Sequence, residues 1–249
     1  MTSRLSTQDG EPSCVILARE FMTQQDIKLI AFDLDGTLLD SVPDLAVAAD
    51  QAVQALGYPS VSEEQVRDYV GNGADILIGR ALSQSMTISS DLSDELRAKA
   101  RELFDEYYKQ SGHKLSHLYP TVKETLEELH QAGFTMAIVT NKPSKFVPEI
   151  LEQHDIAKYF VDVLGGDAFP DKKPNPVALN WLMEKHQVKP AEMLMVGDSK
   201  NDILAAKNAG CASFGLTYGY NHGEPISASN PDVVANRLAE LLEVVAVSA

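Results

Sequence analysis

A chain of 249 residues with 44% hydrophobic and 23% charged residues is long enough for one large globular domain or two modest ones. Its net charge of −15 argues against nucleic acid and anionic membranes as partners, because both bind basic surfaces. The two cysteines, Cys14 and Cys211, have no metal-type spacing and are too few for a disulfide framework, so we expect a cytoplasmic protein. No apolar run approaches the length of a membrane span, and Cys14–Ala18 is too short for the core of a signal peptide.

The first clear element follows a polar extension. Residues 1–26 carry no hydrophobic period, and we expect them to lie outside the folded unit without regular structure. The segment 28–41, KLIAFDLDGTLLDS, then predicts a short buried strand, because an apolar run ends at a turn signal. Asp33 and Asp35 lean to the same side of that strand end, and a divalent cation such as Mg²⁺ would relieve their repulsion. A solvated strand end is the alternative, and it explains Asp35-Gly36 better than Asp33.

A helical block comes next. Apolar residues recur at helical spacing from Leu45 to Leu56, and the pattern resumes after each break, so residues 43–116 are predicted to be all-helical. Gly71-Asn72-Gly73 interrupts this block. It is either a plain break between two helices or a helix N-terminus whose amides face a substrate carboxylate.

From Pro120 onwards helices alternate with apolar strands. The predicted strands are Phe134–Thr140, Phe160–Leu164, Met193–Val196 and Ala212–Leu216, with a final helix at about 236–246. This alternation predicts an α/β fold with a doubly wound parallel sheet. We expect residues 27–42 and 117–249 to form that core, with 43–116 inserted as an all-helical cap.

Polar side chains follow four of the predicted strands, where doubly wound sheets bind their ligands. These residues are Asp33 and Asp35, then Thr140, Asn141 and Lys142, then Lys173, and finally Asp198 and Asp202. Thr140 alone could cap a helix, Lys173 alone could be solvated, and Asp202 could be a plain acid at a helix N-terminus. Because all of these residues would lie at one edge of the sheet, we expect them to form a functional site.

Four of these motifs carry a family resemblance. DLDGT, TN, KP and GDSKND, in this order, resemble the motifs of the haloacid dehalogenase superfamily over residues 28–249, and the helical block resembles the cap inserted after its first motif. Within the superfamily, VGNGADILIGRAL, VTNKP and GLTYGYNHGE resemble the phosphoglycolate phosphatase family. The resemblance implies a Rossmann-like core, a Mg²⁺ cofactor and hydrolysis of a small phosphomonoester, 2-phosphoglycolate above all.

The resemblance also implies a role for each acid. Asp33 would be the nucleophile that forms an aspartyl-phosphate, and with Asp198 it would bind the metal. Asp35 would bind the metal through its backbone carbonyl, which leaves its side chain free to act as general acid and base. Asp202 would anchor Lys173 or a metal-bound water from behind.

The remaining candidates would bind the substrate. Thr140 and Asn141 would contact the phosphoryl group, and Lys173 would stabilise the charge that develops there. Charge complementarity suggests that Lys142 and the amides at Asn72 and Gly73 meet the substrate carboxylate.

Other functions stay open at this point. A phosphatase or mutase acting on a sugar phosphate or a nucleotide would use the same core residues. A dehalogenase lacks an acid two residues after its nucleophile, whereas this chain has Asp35. A catalytically silent binding protein would be expected to have lost Asp33 or Asp35. We expect a small-molecule phosphomonoester as the partner, and a monomer or a homodimer in solution.

Overall fold

The computed structural model describes residues 27–245, so the extension expected at residues 1–26 lies outside the described residues. The strands are β1 (Leu29–Phe32), β2 (Leu39–Asp40), β3 (His117–Leu118), β4 (Thr135–Val139), β5 (Asp162–Leu164), β6 (Met193–Gly197), β7 (Ala212–Leu216) and β8 (Val233–Ala235). The α-helices are α1 (Val42–Ala55), α2 (Glu63–Tyr69), α3 (Ala74–Ser83), α4 (Asp94–Ser111), α5 (Val122–Gln131), α6 (Val147–Gln153), α7 (Val177–His186), α8 (Lys200–Ala209) and α9 (Glu240–Val244). Short 3₁₀ turns lie at Ser144–Phe146, Ala157–Tyr159, Pro190–Glu192 and Ile226–Ser229.

Six strands form one sheet in the order β5-β4-β1-β6-β7-β8, and every neighbouring pair is parallel. The first strand therefore lies inside the sheet, with Leu29 opposite Thr135 of β4 on one side and Met193 of β6 on the other. This order confirms the expected α/β fold. It also brings the ends of β1, β4 and β6 together, since parallel strands share one carboxyl edge.

Helices cover both faces of the sheet, which explains why its strands are apolar throughout. Alternate residues of β1 point to opposite faces: Ile30 and Phe32 belong to one apolar cluster, and Leu29 and Ala31 to a second. Helices α5 and α6 contribute to the first cluster, and α7 and α8 to the second. The sheet is therefore doubly wound, as expected.

Some elements differ from the sequence predictions. Thr140 lies just after β4 rather than within the strand, and β5 begins at Asp162 rather than Phe160. Strand β8 is absent from the predicted elements, because its three residues stand between polar segments and are too few for a period. The final helix is shorter than expected, beginning at Glu240.

The helices α1 to α4, Val42–Ser111, are called the cap below. They pack on one another, and no strand interrupts them. Side-chain caps begin two of them: Ser62 and Gln65 form a capping box at α2, and Ser93 caps α4. Helix α3 begins instead at Gly73, whose φ of 90° suits a residue without a Cβ.

The chain enters and leaves the cap at neighbouring points. Strands β2 and β3 pair there as a short antiparallel ribbon. Asp44, in the first turn of α1, is buried and accepts hydrogen bonds from the backbone amides of Leu115 and Ser116, at 3.0 and 2.6 Å, and from the Ser116 hydroxyl. This carboxylate therefore joins the two connections. No helix among residues 27–245 is long and apolar enough to cross a membrane.

Candidate active site

The candidate residues lie at the carboxyl edge of the sheet. The amide of Asp33 donates to the carbonyl of Val196 at 3.0 Å, which extends the pairing of β1 with β6 by one residue. The amide of Thr140 likewise donates to the carbonyl of Leu164 at 2.9 Å, beyond the end of β4. Asp198 follows β6 directly. Backbone pairing therefore fixes the positions of Asp33 and Thr140, and the end of β6 fixes the position of Asp198.

Asp33 has one held oxygen and one free oxygen. Its Oδ1 accepts from the amide of Leu34 at 2.8 Å and lies 3.0 Å from the Lys173 ammonium. Its Oδ2 accepts no hydrogen bond from the described part of the chain. Burial raises the pKa of Asp33 to about 6, against the opposing charge of Lys173. A carboxylate with one anchored oxygen and one free oxygen is well oriented to attack an electrophile.

Three buried carboxylates meet at this point. Oxygens of Asp33, Asp198 and Asp202 lie within 4.8 Å of one another. Burial raises the pKa of Asp198 well above its usual value, and the charges of Asp202 and Asp33 add to the effect. The Lys173 ammonium, 2.6 Å from Asp202, brings one positive charge to the three acids. The donor set therefore fits a divalent cation, which would remove the remaining excess of negative charge.

Close packing holds Asp198 in place. Its Oδ1 accepts from the Thr37 hydroxyl at 2.5 Å and its Oδ2 from the amide of Tyr220 at 2.6 Å. A Cβ at Gly36 or at Gly219 would lie 2.2 Å from that Oδ2. Only glycine at these two positions leaves room for the carboxylate.

Asp202 uses both of its oxygens within the protein. Its Oδ1 accepts from Lys173, and its Oδ2 accepts from the amide and the hydroxyl of Ser199 at 3.0 and 2.9 Å. It therefore anchors the ammonium and also completes the capping box that begins α8.

The side chain of Asp35 is ion-paired with Lys142. The Lys142 ammonium lies 3.0 and 3.1 Å from the two oxygens of Asp35 and 2.8 Å from the hydroxyl of Tyr108 on α4. Burial lowers the pKa of Lys142, but the charge of Asp35 more than offsets this and the pKa rises. Lys142 thus links the general-acid candidate to the cap.

Thr140 and Asn141 lie beside this pair. The Thr140 hydroxyl accepts from the amide of Lys142 at 3.2 Å and is otherwise unused by the described residues. The Asn141 amide group donates to the carbonyl of Gly71 at 2.9 Å and to that of Lys173 at 3.0 Å. Asn141 therefore ties the cap and Lys173 to the strand end.

A cavity lies between the strand ends and the cap, with an empty volume of about 490 Å³ that includes solvent at its mouth. Its lining contains Asp33, Asp35, Leu45, Val70, Gly71, Gly73, Ala74, Leu77, Phe104, Tyr108, Thr140, Asn141, Lys142, Pro143 and Phe146. Asn72 is not part of this wall, although Gly71 and Gly73 on either side of it are. Lys173, Asp198 and Asp202 lie outside the lining, around Asp33.

Tyr108 is the one polar side chain in this described lining that was not a candidate from the sequence. Tyr108 falls within the stretch predicted to be helical, but the apolar period of that stretch runs through Leu103 and Tyr107 and not through Tyr108. In the structure Tyr108 is buried, and its hydroxyl accepts a hydrogen bond from Lys142. Nothing in the sequence marks that contact, since Tyr108 and Lys142 lie far apart in the chain.

The fold and the site define the class of protein. Residues 30–216 match the haloacid dehalogenase-like hydrolase family, and the chain belongs to it. Among its relatives, the phosphoglycolate phosphatase of Vibrio parahaemolyticus is 92% identical over 228 residues, which cover 92% of this chain and 100% of the relative. The phosphoglycolate phosphatase of Vibrio cholerae is 76% identical over 225 residues, or 90% of this chain and 100% of that protein.

A solved structure shows the same architecture. A crystal structure described as a predicted phosphoglycolate phosphatase from Haemophilus somnus superposes with a TM-score of 0.83 at 43% identity. The match covers 88% of this chain and 98% of that one.

Proposed function

We propose that this protein hydrolyses 2-phosphoglycolate to glycolate and phosphate, with Mg²⁺ as cofactor. The observation that carries the proposal is the Asp33 carboxylate, which has a free Oδ2 and belongs to a residue that lines the cavity. A second acid, Asp35, stands two residues further along the chain and lines the same cavity. Relatives that share 92% and 76% of their residues with this chain bear the name phosphoglycolate phosphatase, which supports the choice of substrate.

The reaction would run in two steps on Asp33. Its Oδ2 forms a bond to phosphorus while the bond from phosphorus to the glycolate oxygen breaks, and Asp35 gives that oxygen a proton. Asp35 then takes a proton from the water that attacks the aspartyl-phosphate, and the bond from phosphorus to Asp33 breaks. The hydroxyl of Thr140 and the backbone amide of Asn141 would donate to the phosphoryl oxygens, and Lys173 would supply positive charge beside them.

Mg²⁺ would be held by the carboxylates of Asp33 and Asp198 and by the backbone carbonyl of Asp35. When bound, it would reduce the repulsion between the anionic nucleophile and the anionic phosphoryl group. The three clustered and buried carboxylates support this part of the proposal. Asp202 would support the site through Lys173, because its Oδ1 is paired with the Lys173 ammonium and its Oδ2 accepts two hydrogen bonds from Ser199.

The substrate carboxylate would meet the cap side of the cavity. Helix α3 begins at Ala74, and its first amides, with those of Asn72 and Gly73, could stabilise an anion there. Lys142 would contribute positive charge on the core side. We also propose that the chain divides into a core domain of 27–42 and 117–249 and a cap domain of 43–116. We further propose a cytoplasmic location, because two cysteines are too few for a disulfide framework.

Phosphate release from a panel of substrates tests the proposal. We expect kcat/KM for 2-phosphoglycolate to exceed that for a hexose phosphate or a nucleoside monophosphate by at least about 10-fold, since only 2-phosphoglycolate has a carboxylate to pair. EDTA should abolish the activity and added Mg²⁺ should restore it. A higher kcat/KM for another phosphomonoester would refute the substrate assignment, and full activity in EDTA would refute the cofactor.

A further inference from the structure

The cap contributes a mainly apolar wall to the cavity. Its residues there are Leu45, Val70, Gly71, Gly73, Ala74, Leu77, Phe104 and Tyr108. Among these described residues only Tyr108 has a polar side chain. A cavity that selects a charged substrate needs polar groups at fixed places, because an apolar wall cannot pair a carboxylate. Tyr108 is therefore the cap side chain to consider for that task.

The hydrogen bonds around Tyr108 leave one donor unused. A lysine ammonium has three protons, and Lys142 has three acceptors: the two oxygens of Asp35 and the hydroxyl of Tyr108. The ammonium is thus saturated within the protein. The Tyr108 hydroxyl accepts one of those bonds and donates to no atom of residues 27–245. The unused donor at this side of the cavity is the phenol, not the ammonium.

Packing fixes where that donor lies. The ring of Tyr108 is stacked on Phe104, with centroids 5.6 Å apart. It makes T-shaped contacts with His113 and Phe146, whose ring centroids lie 4.6 and 5.0 Å away. Burial raises the pKa of Tyr108 to about 12, so the hydroxyl keeps its proton near neutral pH. A bond received from a cation also polarises the O–H group and strengthens it as a donor.

We propose that Tyr108 determines substrate specificity by donating its hydroxyl proton to the carboxylate of 2-phosphoglycolate. The carboxylate would then lie one hydrogen bond away from the Lys142–Asp35 pair and would benefit from the lysine charge without displacing Asp35. This inference rests on the proposed function, because it takes 2-phosphoglycolate as the substrate.

The test compares two substrates in three proteins. Ethyl phosphate is the partner substrate, since a methyl group replaces the carboxylate of 2-phosphoglycolate. Tyr108→Phe removes only the hydroxyl and keeps the ring packing. Tyr107→Phe removes a phenol from the preceding residue of α4, outside the cavity lining, and is the matched control.

We expect Tyr108→Phe to lower kcat/KM for 2-phosphoglycolate by roughly 10- to 100-fold and that for ethyl phosphate by less than about 3-fold. Tyr107→Phe should change neither. A second measurement compares the Asp33→Asn variant with the double variant that also carries Tyr108→Phe. We expect the Kd of 2-phosphoglycolate to be higher in the double variant by a similar factor. Melting temperatures report whether each variant is folded.

The possible failures are distinguishable. If the wild-type protein does not prefer 2-phosphoglycolate over ethyl phosphate, the proposed function fails. If it does and Tyr108→Phe retains the whole preference, or leaves the Kd unchanged, the inference is overturned and the function stands. An equal loss on both substrates also overturns the inference, because Tyr108 would then act through Lys142 on Asp35 or on the fold.

Discussion

At the scale of single residues, Lys173 separates acids that would otherwise repel one another. Its side chain is 2% exposed and lies 2.6 Å from Asp202 and 3.0 Å from Asp33. Burial lowers the pKa of Lys173, but Asp202 and Asp33 more than offset this and raise it, so the ammonium stays charged. Removing one partner of a buried ion pair costs more than the pair contributes, because the other charge stays buried without compensation.

Lys173→Met should therefore lower both stability and turnover. In EDTA at pH 7.5 we expect the free energy of unfolding to fall by about 3 kcal/mol, measured by urea denaturation. We expect kcat with Mg²⁺ to fall at least about 100-fold. The control is Lys172→Met at the exposed neighbouring residue. Equal effects at the two positions would contradict the role given to Lys173.

Asp33→Asn should abolish turnover and keep the fold. The amide is almost isosteric with the carboxylate but cannot attack phosphorus, so kcat should fall by more than about 1000-fold. The melting temperature in EDTA should not decrease, because the change removes a charge from a buried acidic cluster. Residual activity above that level would rule out a covalent intermediate on Asp33.

The acids of the site and the contact of Asp202 with Lys173 were predictable from the sequence, whereas the contact of Asp35 with Lys142 was not. Asp33 and Asp198 each follow an apolar run, and strand topology alone brings such residues together. The link from Asp35 through Lys142 to Tyr108 depends on how the cap lies on the core. That placement is decided by tertiary packing, which leaves no local pattern in the sequence.

At the scale of elements, helix α3 begins where a positive-φ glycine allows the chain to approach the core. Gly73 has a φ of 90°, and a Cβ there would lie 3.0 Å from the Lys172 ammonium and 3.3 Å from the carbonyl of Asn141. Gly57, after α1, has a φ of 78°, but a Cβ there would have no atom of the described residues within 4 Å beyond its chain neighbours. Replacing either glycine would strain the backbone, because both have a positive φ. Only at Gly73 would the added Cβ also lie close to neighbouring atoms.

Gly73→Ala and Gly57→Ala form a matched pair on this basis. Both should lower the free energy of unfolding by about 1 kcal/mol, because alanine is strained at positive φ. Only Gly73→Ala should also lower kcat/KM, since its methyl group pushes α3 away from the strand ends. Thermal denaturation and steady-state kinetics measure the two effects. If Gly57→Ala also lowered kcat/KM, backbone strain alone would account for the loss of activity, and the role given to crowding at Gly73 would be wrong.

At the scale of the whole molecule, several contacts hold the cap against the core. The carbonyl of Gly71 accepts from Asn141 and from Asn201, at 2.9 and 3.1 Å. The Lys145 ammonium of the core lies 2.7 Å from Asp105 of the cap. Because Gly71 of the cap and Asn141 of the core both line the cavity, the site is complete only when both parts of the chain meet.

The acidic cluster should make metal binding and stability depend on pH. In the metal-free protein the pKa of Asp33 is about 6, above its unfolded value of about 4. This group therefore contributes stability below pH 4 that is lost as the pH rises through 6. Mg²⁺ needs the ionised carboxylates, so the rise in melting temperature on adding Mg²⁺ should be larger at pH 7.5 than at pH 5. Thermal denaturation in EDTA and in Mg²⁺ tests this, and equal shifts at both pH values would contradict it.

The position of β1 inside the sheet has a consequence for synthesis on the ribosome. This strand is made first among the described strands, yet its partner Met193 in β6 follows about 160 residues later. At 5–20 residues per second that delay is roughly 8–30 s, during which β1 has no partner on that side. The cap helices depend on contacts between residues that are closer in sequence, so they can form during this delay. The nascent chain therefore leaves one edge of this apolar strand unpaired until β6 has been made.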